Sequence, residues 1–418
     1  MPILAGQRLN VGPILGAALL ALCAVFPPAL AQSGNPNPVT LTPAQQALVD
    51  KLRRSSGTSN VGLLKLANAA VAEQPTGGGK LVLPLADGKV ATLVRTRPRV
   101  ETEGAFTFRG EVEETGERAV LMLWKDGHLS GYFGYRGRVY MINHMGGDIH
   151  AMAEMGLPPD HAPAAGGPSP SKPVRPRSPP PEPTVAPFPD AEREALEAKK
   201  ITIDVMLLYS KNAASLHIGN PADLLALAVE DANETFKNSG LGNINLRLVH
   251  TQAIDFDETG ADHFQILYAM VDGNGPFTDV KKLRNEKRAD IIGLIINNPS
   301  GCGLSTRVGA DAEDAFFVVH HTCATITISI AHEIAHIIGA RHDRAVDANE
   351  TPVAYAHGYV NGTKWRTMMS YNEGCGGCPR IPYWSNPRIM YKGEPTGTAA
   401  ADNARVILEQ AERVSKFR

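Results

Sequence analysis

The stretch HEIAHIIGARHD, residues 332–343, decides how the rest of this chain is interpreted. On an α-helix, side chains four residues apart lie on one face, about 6 Å apart along the axis, so the imidazoles of His332 and His336 can reach one metal ion. Glu333 is rotated from His332 by about 100°, which keeps its carboxylate out of direct metal contact but near enough to orient a water molecule there. The spacing therefore predicts two metal ligands and a general base on a single helix.

Gly339 and His342 extend this motif beyond the helix. Glycine has no Cβ and can adopt positive φ, so we expect Gly339 to end the helix and turn the chain until His342 returns to the same ion. The alternative is an amphipathic core helix with incidental histidines, but such a helix would not require a glycine and a third histidine at these positions. We predict a three-histidine metal site formed by His332, His336 and His342.

Length and charge limit the general class of the protein. A chain of 418 residues predicts two or three domains of about 150 residues each. The formal net charge is -2, and no dense block of lysine and arginine marks a surface for nucleic acid or for an anionic membrane. We expect neither of these partners.

The first 31 residues are arranged like a secretory signal peptide. Arg8 precedes an apolar run over residues 11–26, and the sequence Ala-Leu-Ala at 29–31 provides a small-x-small cleavage site. The apolar run is short for a membrane span. The alternatives are a retained signal anchor and a lipoprotein, although Leu22 stands where a lipoprotein needs a small residue before Cys23. We expect a secreted, extracellular or periplasmic protein with no stable membrane anchor.

Removal of the signal would leave four cysteines, an even number that favours two disulfides in an exported chain. Three pairings are possible, and we favour Cys302 with Cys323 and Cys375 with Cys378. The motif Cys375-Gly-Gly-Cys378 could instead be a redox pair or half of a zinc knuckle. Neither a βαβ pattern nor a second CxxC accompanies it, which favours the disulfide.

The region after the signal changes from helical to β-rich. Residues 40–72 are rich in Ala, Leu and Gln and predict helix with a polar break near 55–59. Short alternating apolar runs between Asp-Gly and Gly-Arg turns then predict a small β-rich domain over residues 75–157. Thirteen prolines between residues 158 and 189 predict an extended linker that is open to proteolytic nicking.

Beyond the linker, strand and helix patterns alternate, which predicts a layered α/β sheet. The predicted elements, in order, are a helix over 191–200, the strand IDVMLLYS, a helix over 223–237, a strand from Ile244, a helix over 263–271, strands from Ile291 and Ala315, and a helix over 401–417. The strand from Ala315 is expected at an edge of the sheet near the metal helix. An edge strand there could hold a substrate by β-pairing.

Two further clusters favour structural interpretations. The acidic run at 255–260 resembles the start of a calcium loop, but the later ligands of such a loop are missing, so we expect a solvated turn. His320 and His321 are adjacent on a predicted strand and face opposite ways, so both cannot bind one ion. We expect at least one of them to be structural.

The pattern HExxHxxGxxH followed by a methionine turn resembles the signature of the metzincin metallopeptidases. Asp343 is the residue type that follows this pattern in the reprolysin-like branch. The sequence TMMSY at 367–371 resembles the Met-turn, and the alignment places Met369 beneath the metal, with Met368 as the alternative. Tyr371 matches a tyrosine that some members use as an extra zinc ligand or to stabilise an oxyanion, although reprolysin-like enzymes often lack this ligand.

Two segments narrow the resemblance within this clan. GCGLSTRVG at 301–309 and EGCGGCPRIPYWSNPRI at 373–389 are similar to bacterial peptidyl-Asp metalloendopeptidases, and the resemblance covers roughly residues 198–418. The β-rich region before the linker is similar in pattern to the propeptides of reprolysin-like enzymes. Unlike those of the animal members, it contains no cysteine that could occupy the zinc. Any latency must therefore come from another group or from steric occlusion.

The resemblance implies an α/β (α+β) catalytic domain with a twisted mixed sheet and a zinc helix, preceded by a small β-rich pro-domain. It implies one catalytic Zn²⁺, Glu333 as the general base and a supporting role for Tyr371. It also implies cleavage on the amino side of aspartate, which requires a cation for the substrate carboxylate. Arg380 is the first candidate for this pocket and Arg366 the second, with an ordinary surface charge as the alternative for each. The bond before Asp190 is then a candidate for autolytic activation.

These interpretations divide the chain into a signal peptide (1–31), a propeptide (32–157), a Pro-rich linker (158–192) and a zinc metallopeptidase catalytic domain (193–418). The expected function is that of a secreted zinc endopeptidase that acts on protein or peptide substrates and is inhibited by its own propeptide before activation. Two alternatives remain open. One is a secreted zinc-binding adhesion or interaction module without turnover, and the other is a zinc hydrolase acting on a non-peptide substrate.

Overall fold

The computed structural model describes residues 39–54, 57–65, 79–85, 88–97, 100–102, 105–124, 129–156, 160, 180–215 and 221–418. The predicted signal peptide lies outside these residues, as does most of the Pro-rich segment. Within the described ranges, no helix combines the length and the apolar character that crossing a membrane would require.

The amino-terminal unit is an antiparallel sheet preceded by helix α1 (Pro43–Arg54). Its strands, in chain order, are β1 (Thr58–Lys65), β2 (Lys80–Pro84), β3 (Val90–Arg95), β4 (Val100–Thr102), β5 (Ala105–Val112), β6 (Arg118–Trp124), β7 (Leu129–Tyr135), β8 (Arg138–Gly146) and β9 (Ile149–Met155). Their spatial order is β1-β9-β8-β7-β6-β5-β3-β2, and β4 pairs with β5. Most neighbours in space are therefore neighbours in sequence, as a meander requires.

The expected helix over residues 40–72 is only partly correct. Helix α1 ends at Arg54, and Thr58–Lys65 is the strand β1, which pairs antiparallel with β9 about ninety residues further along the chain. The local composition favours helix, but the pairing with β9 overrides it because strand preference depends on the neighbours that a strand finds.

The carboxy-terminal unit is a mixed sheet with helices on both faces. Its strands are β10 (Ile201–Ser210), β11 (Ile244–Ile254), β12 (Ile291–Ile296), β13 (Gly303–Ser305) and β14 (Phe316–His320). Its helices are α2 (Asp190–Glu197), α3 (Lys211–Ala214), α4 (Pro221–Asn238), α5 (His263–Asp272), α6 (Val280–Lys287), α7 (His321–Ile326), α8 (Ser329–Ile338) and α9 (Asn403–Val414). Short 3₁₀ turns lie at Gly275–Phe277 and Asn372–Gly374, and two-residue strands pair β15 (Val360–Asn361) with β16 (Trp365–Arg366) and β17 (Met390–Tyr391) with β18 (Glu394–Pro395).

Both faces of this sheet are buried, which explains the nearly continuous apolar sequence of its central strands. On β10, Val205 and Leu207 pack in the core that includes α4, α8 and α9, whereas Met206 and Leu208 pack in the core that includes α5 and α6. Full burial of one such side chain contributes roughly 1.5–3 kcal/mol, so the first of these cores fixes the position of α8 against the sheet.

The edge of the sheet differs from the prediction. The spatial order is β11-β10-β12-β14-β13, so the strand expected at the edge, β14, is internal. The edge is formed by β13, which runs antiparallel to β14 and pairs Gly303 with Val319. A strand of three residues that begins with glycine is too short to show a period in the sequence.

Two disulfides join Cys302 to Cys323 and Cys375 to Cys378, which confirms the favoured pairing. The first bond ties the residue before β13 to helix α7. The second closes the loop that follows the predicted Met-turn.

The acidic run at 255–260 is not a fully solvated turn. Glu258 is buried, and its carboxylate accepts hydrogen bonds from the Ser210 hydroxyl and from the backbone N–H of Asn297. These donors lie at the carboxyl ends of β10 and β12, where backbone groups that leave the sheet need partners. Burial raises the pKa of Glu258.

Candidate metal centre

Helix α8 holds the first two histidines of the motif and is buried along its whole length. It begins after Ile328, a residue with φ 56°, and ends at Ile338. Gly339 has φ 142°, and its N–H donates to the carbonyl of Ala335. The predicted glycine terminus is confirmed, and the chain turns there toward His342.

The structure brings His332, His336 and His342 together. The Nε2 atom of His342 lies 3.2 Å from Nε2 of His332 and 2.8 Å from Nε2 of His336. The Nδ1 atoms of His332 and His336 donate to the carbonyls of Met368 (2.9 Å) and Ala340 (2.8 Å). Since a neutral imidazole carries one proton, the Nε2 atoms of these two residues present lone pairs.

This cluster fits a divalent cation. Burial lowers the pKa of His336 to about 4, so its imidazole is neutral at neutral pH, the form that binds metal. Nitrogen lone pairs held this close repel one another unless a cation lies between them. Three imidazoles, two of which are anchored through the opposite ring nitrogen to a backbone carbonyl, form a donor set typical of zinc.

Glu333 is fully buried beside these ligands and lies against the edge strand β13. A Cβ atom added at Gly303 would collide with its carboxylate, so the absence of a side chain on Gly303 makes room for Glu333. Burial raises the pKa of Glu333 to about 8, while hydrogen bonds from Ser305 and the charge of Arg380 act in the opposite direction. A divalent cation at the imidazoles would likewise favour the carboxylate form.

Asp343 joins the histidine motif to the TMMSY segment. Its carboxylate accepts from the backbone N–H of Ala345 (3.1 Å) and from that of Tyr371 (2.9 Å). Burial raises the pKa of Asp343 to about 6. The sequence identified Asp343 only as a branch marker, because its partner Tyr371 lies 28 residues away and no local pattern connects the two.

The TMMSY segment contacts the candidate ligands. Met368 and Met369 are both fully buried, and the carbonyl that holds His332 belongs to Met368. The ring of Tyr371 lies 4.1 Å from the ring of His342 and 6.1 Å from that of His332, measured between centroids. Tyr371 is thus beside the candidate ligands. The assignment of Met369 as the residue beneath the metal stays a prediction.

Arg366 and Arg380 lie on adjacent backbone segments, since the N–H of Ile381 donates to the carbonyl of Arg366 over 2.8 Å. Their side chains are only 8% and 10% exposed, so neither is an ordinary surface charge. Arg380 donates to the carbonyl of Thr327 (3.1 Å), two residues before α8, and Arg366 donates to that of Cys378 (3.2 Å). Arg380 is therefore fixed near the candidate base, and Arg366 lies beside Arg380.

His320 and His321 lie outside this group. His320 accepts from the backbone N–H of Thr322 and caps helix α7, and His321 bonds to the side chain of Asn297. Within the described residues, the histidines at 332, 336 and 342 form the group whose ligand atoms, all within 4.8 Å of one another, could hold a metal ion.

Comparison with known proteins shows which family this region resembles. The family model Reprolysin_5, metallo-peptidase family M12, matches residues 199–385. A peptidyl-Asp metalloendopeptidase of Xanthomonas campestris pv. campestris is 39% identical over 227 residues, which cover 54% of this chain and 54% of the relative. A protein of the same name from Stenotrophomonas maltophilia is 38% identical over 230 residues, covering 54% and 55%, and one from Pseudomonas aeruginosa is 29% identical over 259 residues, covering 54% and 42%.

The chain spans about half the length of the curated relatives that it matches. The matched residues contain the three histidines, Glu333, the TMMSY segment and both arginines. Residues 199–385 of this chain are therefore similar to metallo-peptidase family M12 and carry all of these candidate site residues.

Proposed function

We propose that the carboxy-terminal unit is a zinc-dependent endopeptidase with Glu333 as its general base. The convergence of His332, His336 and His342 beside a buried glutamate carries the proposal, and the family match and the names of the relatives support it. A zinc ion held by these imidazoles would act as a Lewis acid and lower the pKa of a bound water.

The surrounding residues supply the remaining parts of a peptide hydrolysis. The Glu333 carboxylate would accept a proton from the attacking water and later pass it to the leaving amine. The hydroxyl of Tyr371, whose ring lies against His342, would donate a hydrogen bond to the oxyanion that forms at the scissile carbonyl. The strand β13 presents the edge of the sheet beside Glu333, where an extended substrate could add by β-pairing.

Two substitutions separate metal binding from catalysis. Glu333→Gln should keep the zinc content of the wild type and lower kcat on a casein substrate by about 10²–10⁴-fold, the range measured for loss of a general base. His342→Ala should lose zinc as well as activity, because it removes a ligand. His250→Ala, a histidine on β11 outside the site, is the matched control and should change neither quantity.

The same measurements decide between the alternatives. If Glu333→Gln hydrolysed casein at the wild-type rate, Glu333 could not be the general base. Stoichiometric zinc without hydrolysis of any peptide would favour the adhesion module, and hydrolysis restricted to non-peptide substrates would favour the other class of zinc hydrolase.

We also propose a preference for aspartate on the carboxyl side of the cleaved bond. The relatives are named peptidyl-Asp metalloendopeptidases, and this chain places two buried guanidinium groups beside the site. Planar guanidinium groups bind carboxylates through paired hydrogen bonds, which gives geometric selectivity as well as charge complementarity. A cleavage-site profile on a peptide library tests the preference directly, and cleavage without enrichment of aspartate would refute it.

Export and activation complete the proposal. We propose that residues 1–31 direct secretion, that residues 32–157 form a propeptide and that cleavage occurs in the linker at 158–192. Two disulfides suit an exported protein. The side chain of Asp190, the first residue of α2, is 85% exposed. Amino-terminal sequencing of the exported and mature forms should give starts at Gln32 and Asp190, and other starts would contradict these boundaries.

A further inference from the structure

Asp160 belongs to the amino-terminal half of the chain but binds both arginines of the candidate pocket. Its Oδ2 accepts from Nη1 of Arg366 (3.2 Å), and its Oδ1 accepts from Nη2 of Arg380 (3.1 Å). The backbone N–H of Asn372 lies 3.4 Å from Oδ2. The side chain of Asp160 is only 10% exposed. A carboxylate from the start of the linker is thus held by cations more than 200 residues away in sequence.

The two arginines form a site that requires an anion. Both guanidinium groups are nearly buried, and like charges held together away from water are costly unless an opposite charge lies between them. Burial lowers the pKa of Arg366 to about 10, the charge of Arg380 acts in the same direction, and Asp160 opposes both. The backbone carbonyls of Thr327, Cys378 and Ser370 accept other N–H groups of the pair and so fix its orientation.

The arginine pair lies close to the candidate catalytic residues, so a carboxylate bound to the pair can affect catalysis. Arg380 bonds to the carbonyl of Thr327 just before α8, and its charge acts on Glu333. The backbone at Ser370, which accepts from both arginines, lies one residue before Tyr371. An aspartate side chain in this pair therefore lies at the margin of the metal site, where the side chain of a substrate residue next to the cleaved bond would be expected.

We propose that Arg366 and Arg380 are the subsite for the aspartate side chain of a substrate, and that Asp160 occupies it as an internal ligand that keeps the uncleaved chain latent. This inference rests on the proposed function. A tethered ligand competes at an effective concentration that a free peptide rarely reaches, so one carboxylate suffices to exclude aspartyl substrates. It also explains how a pro-region without cysteine can block the enzyme, because the blocking group binds beside the metal ligands and not on the metal.

A binding measurement tests the occupancy without any turnover. The full chain carrying Glu333→Ala is titrated with a fluorescein-labelled peptide Ala-Ala-Asp-Ala-Ala, and with the same peptide containing Asn. Adding Asp160→Ala should strengthen binding of the Asp peptide at least tenfold and leave the Asn peptide unchanged. Asp148→Ala, an exposed aspartate between β8 and β9, is the matched control and should bind like the parent. Equal binding by the parent and the Asp160→Ala protein, or an equal gain with both peptides, would overturn the proposal.

An activity measurement separates this inference from the proposed function. In the uncleaved chain with Glu333 intact, Asp160→Asn should raise the initial rate on an aspartyl peptide, while the processed form should be unaffected by the substitution. If no form hydrolyses peptides but the binding result holds, the proposed function fails and the subsite stands. If peptides are hydrolysed but substitution of Asp160 changes neither the rate of the uncleaved chain nor the binding of the Asp peptide, the role of Asp160 as an internal ligand is refuted.

Discussion

At the scale of single residues, substitution of Arg380 tests whether this side chain selects substrates with aspartate. Arg380→Ala in the processed protein should lower kcat/KM for aspartyl peptides by about 100-fold, or about 2.7 kcal/mol, because removing one partner of a buried charge pair typically costs 2–5 kcal/mol. Peptides with asparagine at the same position should lose little. Arg380→Lys keeps the charge but not the planar fork and should restore only part of the rate.

The control for this prediction is Lys364→Ala, which removes an exposed cation two residues before Arg366. It should leave both peptides unaffected. Losses of equal size on the aspartyl and asparaginyl peptides would mean that Arg380 supports the structure of the site and does not select the substrate.

The sequence predicts those residues of the site that lie close to one another in the chain. His332, Glu333 and His336 lie on one turn of one helix, and Gly339 marks where the chain must bend, so their spacing alone indicates a metal site. Asp160 could not be found in this way, because its partner Arg366 is 206 residues distant and the surrounding proline-rich sequence carries no signal for an ion pair.

At the scale of helices and strands, the same rule separates the correct predictions from the wrong ones. The strands β10 and β12 are continuous apolar runs buried on both faces, and their sequences identify them. The strands β1 and β13 owe their conformation to the partners β9 and β14, and the sequence predicts helix for β1 and no strand for β13. Pairing between distant segments decides an edge strand, and no short window of sequence contains that information.

Glu258, which links the ends of β10 and β12, gives a prediction about stability and pH. Burial raises its pKa in the folded protein, so the folded state holds the proton more tightly than the unfolded state. Its contribution to the free energy of unfolding is therefore greatest below the unfolded pKa and declines as the pH rises through the folded pKa. Glu258→Gln cannot titrate, so the stability of the parent relative to this variant should fall as the pH rises above the ordinary pKa of a glutamate side chain.

The neighbouring Asp257 provides a control of opposite sign. Hydrogen bonds from the hydroxyl and backbone N–H of Thr259 lower the pKa of Asp257, so its contribution is lost as the pH falls. The parent should therefore gain stability relative to Asp257→Asn as the pH rises. Urea unfolding in the Glu333→Ala background, followed by tryptophan fluorescence, measures both differences, and slopes of the same sign would contradict the assignment for Glu258.

At the scale of the whole molecule, the two sheets are joined through one face of helix α4. Leu227, Asp231, Glu234 and Asn238 recur at helical spacing and contact the amino-terminal unit. The carboxylate of Asp231, fully buried, accepts from Arg109 (3.2 Å) and Arg118 (2.8 Å) of the antiparallel sheet. This contact is separate from the one that Asp160 makes with Arg366 and Arg380.

The two contacts should therefore have separable effects. Asp231→Ala leaves two arginines without their shared carboxylate, a change that typically costs 3–5 kcal/mol for a buried pair, so it should weaken association of the amino-terminal unit by at least about 100-fold. The measurement uses the full chain with Glu333→Ala, nicked in the linker and analysed by size-exclusion chromatography. The parent should elute as one complex and the Asp231→Ala protein as two pieces, with unchanged zinc content showing that α8 remains folded.

Glu230→Ala removes an exposed carboxylate one residue earlier on α4 and should elute like the parent. Asp160→Ala should also elute as one complex, because it removes the ligand of the subsite and leaves the contact with α4 intact. If Asp160→Ala separated the pieces and Asp231→Ala did not, the contact between Asp160 and the arginine pair would be what holds the amino-terminal unit in place. Asp160 could then no longer be regarded as a local inhibitor whose removal by one substitution opens the subsite.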